Sequence, residues 1–400
     1  LDHSVKLPGI AVIALGFLLV ASSFNTSLLS SIKLVGLSSI VILLSVSSLI
    51  LLVNLARNHR LPRKLLGILI CSAILITVYL IALLIEGITT RGVIVFGQLV
   101  LVIIFFICMS FIKWDKRKIR IIANIIAIFA LINLSLFAIS GFITPFKSFT
   151  GNSNAFSALF LFLGFFPLLY ALLIKQPINK IIWLVIFSIN ILLAFSGQAR
   201  SIWIAFFIFV MVFICWRFIT VNRIMFYGTF AVIIVFLISV TVFYPMIGNH
   251  SDAVIWNEII RNYTGKNLFS GREDIWLALI ELIKQRLLIG YGASASPQQF
   301  LPIGLSSHNL YLQIALQSGL TGLALLILLF WNIWKLFYRK VDSIYVKLAA
   351  SFFVAAMVYQ LFEVSLTQNN LAIGILIWLI TSIGVSKSIE RNYADGREPT

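Results

Sequence analysis

Residues 65–85 read LLGILICSAILITVYLIALLI, a run without a single charge, closed by Arg63 and Lys64 on one side and Glu86 on the other. A helix crossing the hydrocarbon core of a bilayer needs about 20 apolar residues. Every backbone polar group in lipid must also be satisfied within the protein, which selects a helix for an isolated run. This stretch therefore reads as a transmembrane helix. Working outward from it, comparable runs fall at 8–24, 32–53, 93–112, 119–140, 155–174, 181–196, 201–220, 225–246, 309–337, 345–363 and 370–387. The chain is predicted to be all-α, a polytopic membrane bundle of about 12 transmembrane helices forming a single membrane domain over 1–400. The short alternating segments of an outer-membrane barrel are not its pattern.

Composition supports this reading. Of 400 residues, 61% are hydrophobic and 11% charged, too apolar and too little charged for a water-soluble globule. After the first run, Ser22-Ser23-Phe24 lacks a small-x-small cleavage pattern, so that run is expected to stay as the first span. The formal charge of +17 does not indicate nucleic acid, because Lys and Arg gather in alternate loops. One set of loops holds Arg57, Arg60, Arg63 and Lys64, then Lys113, Lys116, Arg117, Lys118 and Arg120. It continues with Lys175, Lys180, Arg217, Arg223, Lys335, Arg339, Lys340 and Lys347. The opposite short loops hold Lys33, Arg91, Lys147 and Arg200. Basic loops stay cytoplasmic, which places both termini inside. Cys71, Cys108 and Cys215 are scattered through apolar runs at no metal-ligand or disulfide spacing.

One external loop is long, from 247 to 307, and such loops are usually functional. Within it Trp276, Leu279, Ile280, Ile283 and Leu287 recur at helical spacing against Glu273, Asp274, Glu281, Lys284 and Gln285. This predicts an amphipathic helix over Arg272 to Leu288 that lies on the membrane or caps the bundle.

Polar groups beside a bilayer are costly unless used or paired, and three places on the external side stand out. Arg200 follows Ser196-Gly197-Gln198-Ala199 where the eighth span begins. A helix start and a guanidinium together suit an anion, although an Arg snorkelling to the interface would look the same. Arg272 follows Phe269-Ser270-Gly271 and could clamp a second phosphate, or pair with Glu273 or Asp274. His308 stands at the mouth of the tenth span, followed by Asn309, Gln313 and Gln317 on one helical stripe that faces a cavity or a partner rather than lipid. Imidazole is the common general base near neutral pH, and equally a common hydrogen-bonded interfacial residue. Two guanidiniums and an imidazole on one membrane face suit a lipid-linked pyrophosphate donor: the arginines for the leaving pyrophosphate, the histidine for an acceptor hydroxyl. External carboxylates at metal-binding spacing are not evident, so a metal-independent reaction without cofactor is expected.

These residues resemble a known family. Ser270-Gly271-Arg272, Trp276, Gly290-Tyr291-Gly292, Phe300, His308-Asn309, Tyr311-Leu312, Gly319 and Gly322 are similar in order and spacing to the signature region of O-antigen ligases and related polysaccharide polymerases. The turn from Ser196 to Arg200 resembles that family's upstream Arg motif. The resemblance implies a class-C-like membrane glycosyltransferase of the bacterial cytoplasmic (inner) membrane, taking a glycan from an undecaprenyl-pyrophosphate carrier at the outer face. It implies His308 as catalytic base, Arg200 and Arg272 as pyrophosphate ligands, and Asn309 and Tyr311 as supports of substrate binding. Class-C enzymes of another kind carry an acidic residue in the first external loop, and Ser22 to Ser31 contains none. A ligase moves a finished chain to a lipid or glycan acceptor; a polymerase joins repeat units. The loop from Gly141 to Asn154 is short, with Lys147 as its one basic residue, which favours the ligase. A lipid-linked glycan flippase is the alternative from another class; it would need charges inside the spans. Tyr291, Phe300 and Tyr311 suit glycan stacking or packing equally well.

Overall fold

The computed structural model describes residues 7–58, 63–248, 250, 252–264, 267, 269, 271–302 and 306–390. Arg60 and Ser270, named above, lie outside the described residues. Among those described the protein is helical and has no strand; Ser27 and Thr150 form an isolated bridge. The helices are α1 (Gly9–Ser22), α2 (Ser30–Asn58), α3 (Leu66–Ile85), α4 (Thr90–Phe111), α5 (Lys116–Ile139), α6 (Ser153–Leu163), α7 (Phe165–Leu173) and α8 (Pro177–Ser196). They continue as α9 (Arg200–Ile219), α10 (Arg223–Gly248), α11 (Ala253–Thr264), α12 (Arg272–Gln285), α13 (Pro297–Phe300), α14 (Leu310–Phe337), α15 (Ile344–Tyr359) and α16 (Leu371–Ile389).

Eleven segments of the described chain are long and apolar enough to cross a membrane, so the all-α polytopic bundle stands. The pattern of apolar residues explains why water cannot replace lipid. α16 and the α6–α7 pair are buried on nearly all sides, while Leu34 and Leu52 of α2, Ile74 of α3, Ile182 of α8 and Phe207 of α9 turn large apolar side chains outward. Helices apolar on both inner and outer faces are stable only in hydrocarbon. α15 packs between α9 and α16, α14 lies along α3, and α4 covers α16 and α2.

Three expectations need revising. The span expected at 345–363 ends at Tyr359 as a helix of 16 residues, and 360–370 is an irregular, largely buried segment. Non-helical backbone at such depth survives only when protein satisfies it, and here it does. The Gln360 side chain accepts from Ser365 N (3.1 Å) and donates to Ser365 Oγ (2.8 Å), and Trp378 Nε1 donates to Leu366 O (3.0 Å). The span at 155–174 is two helices meeting at Gly164. The span at 309–337 is broken at Gly319, whose φ of 69° is left-handed.

The predicted amphipathic helix is α12, which stops at Gln285 and so excludes Leu287. Of the two placements open to it, the structure takes the cap. Ile275, Trp276, Leu279 and Ile283 are buried with Leu312, Ala315 and Leu316 of α14, and the other neighbour is α10. α11 was not anticipated. Val254, Ile255, Trp256 and Ile259 are exposed on it, so α11 turns an apolar face outward.

Candidate active site

α14 begins at Asn309, whose side-chain oxygen accepts from Tyr311 N (2.9 Å) and Leu312 N (3.1 Å). Two of the N–H groups that every helix start leaves unpaired are thereby satisfied. Asn309 Nδ2 donates to Thr241 Oγ1 of α10 at 3.5 Å. The Tyr311 hydroxyl donates to the Met357 carbonyl of α15 at 2.7 Å. Both polar groups are thus occupied within the protein, and what they fix is the chain just ahead of α14.

That chain is held from three directions. Trp276 Nε1, from α12, donates to Ser307 O at 2.9 Å. Ser307 Oγ donates to Gln313 Oε1 at 3.0 Å. Leu310 N donates to Gln360 O at 2.9 Å, joining α14 to the irregular segment after α15. Between these fixed points His308 has φ 46°, a left-handed conformation that costs a non-glycine residue about 1–3 kcal/mol and recurs at functional sites. Its side chain is 26% exposed.

α12 begins at Arg272 because Gly271 takes a left-handed φ of 78°, open to glycine without steric cost, and Glu273 and Asp274 occupy the positive end of the helix. Gly271 N also donates to Glu273 Oε1 at 3.0 Å. The partner of Arg272 is neither Glu273 nor Asp274. It is Glu363, in the irregular segment, with Arg272 Nη2 at 3.9 Å from Oε1. The other oxygen of the same carboxylate, Oε2, lies 3.4 Å from His308 Nδ1. That separation is ion-pair range without hydrogen-bond geometry: Nδ1 is buried and makes no hydrogen bond. Arg272 and His308 are therefore brought together through Glu363.

Arg200 is tied to the chain ahead of Arg272. It starts α9, is exposed, and its guanidinium donates to the carbonyl of Asn267, in the chain that leads into Arg272. The turn before it is locked in place: Phe146 N donates to Ser196 O (2.9 Å), Gln198 Nε2 donates to Thr144 Oγ1 (2.7 Å), and a Cβ on Gly197 would come within 2.2 Å of Ser157 Oγ.

The polar stripe faces a partner inside the chain. Gln313 Nε2 donates to Ala295 O (2.8 Å), and Gln317 Nε2 to Ala293 O (3.1 Å) and Gln368 Oε1 (3.2 Å), while Tyr79 donates to Gln317 Oε1 (3.1 Å). The glycines have the same purpose. Gly290 and Gly319 bring two backbones together, since a Cβ on Gly290 would lie 2.6 Å from Leu316 O and one on Gly319 2.3 Å from Leu288 C. Tyr291 N and Gly292 N donate to Leu316 O and Gln317 O at 2.8 and 3.0 Å. Tyr291 packs on Phe300 with ring centroids 4.8 Å apart, and its hydroxyl donates to Leu282 O. Beside this turn Arg286 pairs with Glu86, next to a cavity of about 550 Å³ that Leu287 and Leu288 help to line.

Glu363 was missed in the sequence because it was read as the last residue of a span. The available signal was its isolation: no other charged residue stands between Lys347 and Lys387, and a lone ionisable group in an apolar stretch is a functional candidate by default. A scan against family models matches residues 182–327 to O-antigen ligase, which takes in Arg200, Arg272 and His308 and stops short of Glu363. No curated protein matches the chain. With eleven segments long and apolar enough to cross a membrane, the chain is a multi-pass membrane protein, and its residues 182–327, under half of its length, are similar to O-antigen ligase.

Proposed function

We propose that the protein transfers a glycan from an undecaprenyl-pyrophosphate carrier to an acceptor hydroxyl at the external face of the bacterial cytoplasmic membrane. Orientation by the basic loops supports that face, with both termini inside and 247–307 outside. The observation that carries the reading is the meeting of Arg272 and His308 on one carboxylate at the start of α14. A base and an anion ligand within one contact shell suit a reaction in which one bond loses its proton as the neighbouring one sheds pyrophosphate.

His308 is the base. It takes the proton of the acceptor hydroxyl as that oxygen attacks the anomeric carbon of the sugar. Arg272 binds the departing pyrophosphate and stabilises the charge growing there. Arg200, whose main-chain contact ties it to the loop that delivers Arg272, holds the same group from the α9 side. Asn309 and Tyr311 act by position: the first caps α14 and the second anchors it, so that His308 is aimed. The guanidiniums supply the positive charge such a departure needs, and transfer is proposed to require no metal or other cofactor.

The transfer is ligase-like, because the short loop between α5 and α6 offers little to hold a second growing chain. Polymerase action joining lipid-linked repeat units is the second reading, and shares all of this machinery. The distinguishing experiment supplies the reconstituted protein with a lipid-linked repeat and candidate lipid and glycan acceptors. One-step products of fixed length support the ligase, and ladders of increasing length the polymerase. Intact donor appearing across the bilayer with no glycan transferred would overturn both in favour of a flippase.

A further inference from the structure

We propose that Glu363 is a positioning residue that Arg272 releases to His308 when the donor's diphosphate binds, so that the base is completed only in the presence of its donor. This rests on the reading of His308 and Arg272 just given, and adds a residue outside the region matched to the family.

The segment carrying Glu363 is built to hold it in one place. Gln360 is fully buried and bonds both to α14, through Leu310, and to Ser365. α16 comes so close that a Cβ on Gly374 would lie 2.1 Å from Ser365 O. Such a fixed carboxylate has two oxygens and here has two claimants. Arg272 Nη2 stands 3.9 Å from Oε1, and His308 Nδ1 stands 3.4 Å from Oε2. Neither distance is that of a made charge-assisted hydrogen bond, which falls at about 2.7–2.9 Å. Nδ1 is buried with its hydrogen-bonding capacity unused, a condition that demands a reason in a protein interior. The geometry is that of a carboxylate shared between a guanidinium and an imidazole and fully engaged with neither.

A diphosphate changes the balance. It offers more charge than one carboxylate and suits the planar fork of a guanidinium, so Arg272 turns to it. Glu363 then loses its guanidinium, and the imidazole Nδ1–H is the donor left within reach. Closing that gap to a hydrogen bond fixes the proton on Nδ1 and leaves the Nε2 lone pair for the acceptor. In the step that follows, the acceptor O–H proton moves to Nε2 and the acceptor oxygen bonds to the anomeric carbon. The bond from that carbon to the diphosphate oxygen breaks, and its electron pair leaves on the lipid diphosphate. The imidazolium formed is held by Glu363 until it returns its proton to water.

The test uses the full chain in proteoliposomes, with undecaprenyl diphosphate as the binding probe and lipid-linked glycan extracted from the source cells as the donor for turnover. Glu363→Gln keeps the shape and removes the charge. Its affinity for undecaprenyl diphosphate is expected to be unchanged or tighter, because Arg272 no longer leaves a carboxylate, while kcat falls at least about tenfold. Glu363→Asp, which keeps the charge on a shorter arm, is expected to retain affinity and recover part of the rate; it carries the same test if the Gln variant does not fold. Wild-type turnover in both variants, or affinity falling in proportion to kcat, overturns the proposal. His308→Ala in the same assay separates the two levels: inactive His308→Ala beside fully active Glu363→Gln removes the handover alone, whereas active His308→Ala removes the reading beneath it.

Discussion

The indole of Trp276 donates a 2.9 Å hydrogen bond to the carbonyl of Ser307, so the cap helix α12 holds the residue directly ahead of His308. Arg272 opens the same helix. One helix therefore places Arg272, the proposed anion ligand, at its first turn and braces the chain at His308, the proposed base, from its second.

Replacing Trp276 by Phe keeps the ring and deletes the bond, leaving a buried carbonyl unpaired at a cost of about 1–3 kcal/mol. The expected result is a lower unfolding temperature in detergent and a reduced kcat with donor affinity largely kept. Calorimetry and initial rates on the same preparation check this; full activity in the Phe variant would show that the brace is dispensable.

Asn309→Ala removes the cap of α14, worth about 1 kcal/mol, and frees the turn that carries His308. Asn309→Asp retains an oxygen for Tyr311 N and Leu312 N, and should recover most of the stability. If Asn309 instead contacted substrate through its amide nitrogen, Asp would recover stability without activity, so comparing both readouts decides its role.

Gly290 and Gly319 both have positive φ and both lie against backbone. Alanine at either position should cost more than about 1 kcal/mol, since strain and collision add. The measurable consequence is loss of folded protein from the membrane fraction, without selective loss of chemistry in what remains.

Arg200→Lys and Arg272→Lys should each weaken undecaprenyl diphosphate binding by about tenfold or more, because a point charge cannot replace the planar fork. Rescue to wild-type affinity by Lys would mean that charge alone suffices. Transfer should also persist in excess chelator; activity restored only by added divalent ion would contradict the metal-free reading.

Much of this was legible in the sequence because the bilayer imposes strong rules. Span length and the alternation of basic loops depend on solvent, not on tertiary detail, so residues 65–85 announce themselves. The start of α12 could also be read, since Gly271, Arg272 and the two acids after it are local signals. Glu363 could not be placed, because whether a residue ends a span or begins a buried loop depends on what Gln360 and Gly374 touch. The destination of the Gln313 and Gln317 amides was hidden for the same reason: their acceptors, the Ala293 and Ala295 carbonyls and the Gln368 side chain, are remote in sequence. α12 read as amphipathic, and only packing decides whether its apolar face meets the bundle or the membrane.

The most direct measurement is transfer by His308→Ala, purified and reconstituted beside the wild type, with undecaprenyl diphosphate binding followed in parallel. The account predicts that transfer falls by about 10²–10⁴-fold, while insertion and binding remain close to those of the wild type. Undiminished transfer by this variant would contradict it, since no other group in the contact set of Glu363 could then be acting as His308 is claimed to act.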